Sequence, residues 1–124
     1  MITGAENVLS QYEALINRLD FDALEPLIAD DAVFWFNDGC HSGMAEIRAA
    51  FEKTWREFPL ERYWLEDIRW LAAGEGAAGC IYRFRWRTTL GGKFLDGTGR
   101  GTALLRSERG QWKIVHEHLS QFPQ

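Results

Sequence analysis

A chain of 124 residues, 46% hydrophobic and 26% charged, has the length of one folded domain and enough apolar content to bury a core. Its 14 Lys and Arg against 18 Asp and Glu leave a formal net charge of -4, which excludes the broadly basic face that nucleic-acid partners require. No apolar run reaches the roughly 18 residues of a membrane span. Met1 to Glu6 offer neither a basic n-region nor an apolar h-region, so a cytoplasmic protein is expected, with neither membrane nor nucleic acid as partner. Cys40 and Cys80 form no metal-ligand spacing and are expected as free thiols. Eight Phe, six Trp and three Tyr are a heavy aromatic load, serving either as large core side chains or as the walls of an apolar pocket.

The first third reads as helix. Thr3 and Glu6 have capping-box spacing, and Val8, Leu9, Tyr12, Leu15, Ile16 and Leu19 recur on one helical face. Asp20 caps a second, short helix in which Leu24, Leu27 and Ile28 share a side and Pro26 falls near the first turn. Ala32–Phe36 reads as a short strand ending in the turn Asn37-Asp38-Gly39. Ser42 is the expected cap of a third helix, buried through Ile47, Ala50, Phe51, Thr54, Trp55 and Phe58 and closed by Pro59.

From residue 62 the hydrophobic period changes from about 3.6 to 2. Strands are predicted over 62–71, 77–88, 93–107 and 111–122, joined by loops short enough to make them an antiparallel meander. In the second of these, Cys80, Tyr82, Phe84 and Trp86 share one face, while Arg83, Arg85 and Arg87 share the other. An arginine ladder can serve a phosphate or nucleic-acid site, but in an acidic chain the arginines better suit a solvated outer face or a dimer rim. Gly97, Gly99 and Gly101 recur at every second position of the next strand. Each weakens a strand, so their use lies in close approach and coiling of the sheet. The same run lacks the strand-to-helix turn of a dinucleotide site, and no cofactor is expected.

Three stretches, Tyr12 to Asp31, His41 to Phe51 and Gly99 to Ser120, resemble the nuclear-transport-factor-2-like, or SnoaL-like, superfamily, closest to its uncharacterised SnoaL-like branches. The resemblance spans nearly the whole chain. It implies one α+β domain over 1–124 with the cone-shaped, cystatin-like fold: three N-terminal helices packed on a strongly curved antiparallel sheet that encloses a pocket. Homodimers paired through the outer sheet faces are common in that superfamily. Ketosteroid isomerase belongs to it. Of that enzyme's working residues only the oxyanion-donating tyrosine has a match here, in Tyr12. The catalytic aspartate falls on Phe36, the second oxyanion acid on Thr102, and the supporting tyrosines on Ile28 and Phe51. Without the base, steroid-type isomerisation is not expected.

The same resemblance turns Phe34, Phe36, Phe51, Thr98, Thr102, Lys113, Val115 and Leu119 toward the pocket as ligand-binding residues. Arg100, Glu117 and Tyr12 become its candidate catalytic set. Arg100 and Glu117 form either an electrostatic pair in a site or a structural ion pair that satisfies two buried charges. His116 and His118 share a face, directed outward to a dimer interface. A one-residue slip of register would turn them inward as alternative bases. With no third ligand apparent, no metal is expected. Three functions stay open: a small-molecule-binding domain for an apolar or mixed-polarity ligand; a cofactor-independent hydrolase, lyase, cyclase or isomerase using Glu117 or a nearby histidine with Arg100 and Tyr12; or a protein-interacting dimerisation module.

Overall fold

The computed structural model describes residues 4–123, so the Thr3 half of the expected capping box lies outside the described residues. Helix α1 (Gly4–Leu15) buries Ala5, Leu9 and Tyr12 at the spacing its sequence predicts, then tightens into a 3-10 turn over Ile16–Arg18. The side chain of Asp20 accepts from the Asp22 amide and starts the single turn α2 (Phe21–Leu24). Pro26 sits early in a separate 3-10 turn, Glu25–Leu27, where a missing N–H leaves no helical bond unmade. Ile28, expected on the helix, opens strand β1 (Ile28–Phe36).

The Asn37-Asp38 turn leads into a short strand, β2 (Gly39–Ser42), that the sequence pattern does not predict. It occupies the edge of the sheet and carries only four residues, too few for a visible alternation. Gly43, with φ 84, rather than Ser42, caps α3 (Met44–Glu57). Glu46 reaches back from the first turn of α3 to accept from the Ser42 amide at 2.9 Å. The buried stripe of α3 is Ile47, Ala50, Phe51 and Trp55.

Strands β3 (Arg62–Ala73), β4 (Ala77–Leu90), β5 (Lys93–Glu108) and β6 (Gln111–Ser120) form the expected antiparallel meander. The six strands lie in the order β2-β1-β6-β5-β4-β3, and β1 runs parallel to β6, so the whole sheet is mixed. The long excursion through β2, α3 and the meander supplies the connection that a parallel pair needs. Strand β3 is the other edge. Its open backbone is tied to the helical layer: Tyr63 N–H donates to Asn17 at 2.8 Å and Leu65 N–H to Glu13 at 2.7 Å.

The three alternating glycines pair directly with the large aromatics of β4: Gly97 with Trp86, Gly99 with Phe84 and Gly101 with Tyr82. A Cβ at any of them would run into the opposing ring, and at Gly99 also into the Ser120 carbonyl. The rings therefore lie over β5 rather than standing clear of it. That tilt lets a β4 side chain reach β6.

Register shifts reset the alternation at several points, among them one in β6 and two in β3. In β6, Leu104 pairs with His116 and Leu105 with Ile114, which leaves Val115 as an extra residue. In β3, an extra residue lies between Glu66 and Arg69, where Asp67 adopts φ 57.

Candidate functional site

The inner face of the sheet and the helices line an open pocket of about 350 Å³. Glu117 of β6 lies at its inner end, 1% exposed. The Tyr12 hydroxyl, from α1, donates to Glu117 Oε1 at 2.8 Å, and the Tyr82 hydroxyl, from β4, donates to Oε2. Tyr82 spans β5 above Gly101 and reaches a carboxylate two strands away, which a side chain at residue 101 would obstruct. Tyr63 of β3 also lines the cavity; its buried hydroxyl has no hydrogen-bond partner.

Burial pushes the Glu117 carboxyl up to about 7, against the two tyrosine hydrogen bonds, which hold it down. Burial and the nearby Glu117 charge drive Tyr12, Tyr82 and Tyr63 well above the ordinary phenol range, so all three remain donors. Nearer the protein surface, desolvation alone raises Glu61 to about 7. The remaining wall is mainly aromatic, with Phe36, Phe51, Trp55, Phe84 and Trp86 among its rings.

The structure unites Tyr12 and Glu117 with Phe36, Phe51 and Leu119, and buries Phe34 against Phe36 and Phe51 with ring centroids 5.8 and 6.4 Å apart. It separates the others. Gly99, Gly101 and Ala103 are the inward residues of β5, because they face the inward rings of β4. Arg100, expected beside Glu117, is therefore exposed on the outer face, in a shallow depression with Thr102, Ile81, Arg83 and His118. Thr98 is on that face too and donates to the Phe84 carbonyl at 2.9 Å. No Arg100–Glu117 pair exists, and neither Thr98 nor Thr102 lines the cavity.

On β6 the bulge at Val115 explains the rest. Ile114 and Glu117 both point inward although three residues apart, whereas Lys113 lies beyond the bulge beside Glu108 and Arg109. Val115 packs at the core margin without lining the cavity. His116 and His118 face outward, as the unslipped register predicts, each edge-on to the Trp35 ring at 5.0 and 5.5 Å. His116 Nδ1 lies 2.6 Å from the Val33 carbonyl. Tyr82, Tyr63 and Glu61 line or reach the site without carrying a site role in the sequence pattern. Period-2 spacing gave a signal for the first, which shares a face with Phe84 and Trp86. Tyr63 had a similar signal through Leu65.

A cone of helices on a curved mixed sheet, closed over a buried carboxylate and its tyrosines, defines the class of small α+β pocket proteins. The model of the SnoaL-like domain family matches residues 5–124, and the chain belongs to that family. No protein of curated function matches its sequence. Among solved structures, a nuclear transport factor 2-like superfamily protein from Salmonella enterica serovar Typhimurium is 18% identical with a TM-score of 0.85, over 95% of this chain and 88% of its own. A candidate ketosteroid isomerase from Shewanella frigidimarina is 17% identical with a TM-score of 0.80, covering 95% of both chains. A candidate dehydratase of the same superfamily from Streptomyces avermitilis is 14% identical with a TM-score of 0.82, over 95% of this chain and 93% of its own. At such identities the likeness is one of fold.

Proposed function

We propose that the chain binds a small, largely apolar molecule in this cavity and moves a proton on it with Glu117, as a cofactor-independent isomerase or lyase. The observation that carries the reading is a fully buried carboxylate held by two tyrosine hydroxyls and, among the described residues, by no cation, in an aromatic cavity. A carboxyl poised near neutrality is suited to general acid–base work. In the proposed step the Glu117 carboxylate takes a proton from a carbon next to a carbonyl, and the bonding pair passes to the carbonyl oxygen as an enolate. The unpartnered Tyr63 hydroxyl is free to donate to that oxygen. Returning the proton to another carbon completes an isomerisation. Loss of a β-substituent completes an elimination. The names of the Shewanella and Streptomyces structures, an isomerase and a dehydratase, belong to these two reaction types.

The test is deuterium incorporation from D2O at the α-carbon of a panel of small cyclic ketones, followed by NMR. Wild-type protein is expected to accelerate exchange and Glu117→Gln to abolish the acceleration. Equal exchange by the two proteins would remove Glu117 from the chemistry.

We also propose that the chain pairs with a second copy through the outer sheet face. Trp35, Ile81 and Leu104 expose large apolar surface there, 38–44% of each residue, beside the half-buried His116. Light scattering at micromolar concentration should give twice the 14.3 kDa of one chain; the single-chain mass would refute the pairing.

A further inference from the structure

Every charged residue lining the cavity is acidic: Asp38, Glu57, Glu61 and Glu117. Asp38 has a partner in His41 at 3.3 Å, and Glu57 is exposed. Glu61 and Glu117 differ from these. Both are desolvated, and among the described residues no Lys, Arg or His forms an ion pair with either. A carboxylate withdrawn from water without a counter-charge is costly, and a cationic ligand would offset that cost.

The surroundings of Glu61 suit such a ligand. The Glu61 amide donates to the Phe58 carbonyl at 3.2 Å in a backbone turn, and both residues line the cavity. The Phe58 ring lies 6.3 Å from that of Trp86, and both rings line the cavity. Aromatic faces attract cations, Trp most strongly, and a ring pair beside a carboxylate is the arrangement that recognises ammonium groups. An independent observation also points to a ligand. The Tyr63 hydroxyl, two residues along the chain, lines the same cavity, is buried in a residue only 9% exposed, and has no partner among the described residues.

We propose that the molecule this cavity takes is an organic cation, an apolar carbonyl compound that also bears an amine or quaternary ammonium group, with its positive charge seated between Glu61 and the rings of Phe58 and Trp86. The inference rests on the reading of the cavity as a small-molecule site and specifies the class of molecule. It divides the two acids: Glu61 holds the charge, and Glu117 faces the apolar part of the ligand. An anionic ligand of the same shape is excluded by both carboxylates.

The experiment is a tryptophan fluorescence titration at pH 8, where both acids are ionised, read through Trp55 and Trp86 on the cavity wall. Three phenyl probes are compared: benzyltrimethylammonium, its neutral isostere neopentylbenzene, and 3-phenylpropanoate. The cation should bind at least about tenfold more tightly than the neutral isostere, and the anion more weakly than either. Glu61→Gln should reduce the cation's affinity about tenfold and leave that of neopentylbenzene unchanged, with circular dichroism confirming an intact fold. Equal or tighter binding of the neutral probe by the wild type would overturn the cation proposal while leaving the small-molecule site standing. So would an unchanged cation preference in Glu61→Gln. Failure of all three probes to bind would overturn both.

Discussion

The two faces of one sheet treat charge in opposite ways. Outside, Arg85 meets Glu66 at 2.6 Å, Arg106 meets Asp31 at 2.9 Å, and Arg83 and Arg87 lie over the rings of Phe122 and Trp64. Inside, Glu117 is the one fully buried charged side chain among the described residues, and its partners are phenols. The outer pairs exchange easily with water and are weakened by solvent screening. The inner acid bears the cost of its own desolvation, a setting in which functional carboxylates are often found. Charge is abundant where it does little and sparse where it is strongest.

The largest way to break this contrast is Glu117→Gln. The amide keeps the shape and can still accept from one tyrosine and donate to the other. The α-proton exchange described above should fall by roughly 10²–10⁴-fold. Stability should move the other way. With its carboxyl raised from 4.5 to about 7, the folded protein retains a proton that the unfolded chain releases. Wild-type stability therefore declines as pH rises through that window and stays lower above it. Glu117→Gln lacks this term, so denaturant unfolding should show it about 3 kcal/mol more stable than wild type at pH 8. At pH 5 the two proteins should differ little.

The next effect concerns the geometry that separates the faces. Gly99→Ala forces a Cβ against Phe84 and the Ser120 carbonyl and should cost about 1–3 kcal/mol. Gly76→Ala meets no atom within 4 Å and should remain within about 0.5 kcal/mol of wild type in the same melts. Tyr63→Phe removes a buried hydroxyl that satisfies nothing, so stability should rise by about 1 kcal/mol while exchange slows. The smallest effect sharpens the contrast. Arg100→Met, on the outer face, should leave exchange unchanged and stability within about 0.5 kcal/mol.

Much of the fold was legible because long strands advertise themselves. Alternation over β4 fixed which residues travel together, and the loops at Leu90–Gly92 and Glu108–Gly110 placed the hairpins. Membership of the SnoaL-like family was likewise legible in three stretches of sequence. The faces of β5 were harder. Alternation does not say which side is inward, and the clue lay in the glycines: a residue without a side chain leaves room for the ring of its neighbour across the strand pair, so Gly97, Gly99 and Gly101 mark the inner side. Strand β6 could not be read by period alone, because the extra residue at Val115 reverses the alternation midway. The family resemblance set Glu117 and Tyr12 in one pocket, but together with Arg100, which lies on the outer face. Tyr82, two strands from Glu117, was not legible, since its reach depends on the small residues of β5.

The proposed chemistry requires Glu117 to be a carboxyl that titrates near neutrality inside the cavity. Carboxyl ¹³C NMR of protein labelled at glutamate, with the Glu117 signal identified by its loss in Glu117→Gln, measures this directly. The predicted midpoint is about 7, moving higher still in Tyr82→Phe and Tyr12→Phe as each lost hydrogen bond ceases to favour the ionised form. A midpoint at the ordinary value of 4.5 would mean a well-solvated acid, and would contradict both the buried site and the proton-transfer role built on it.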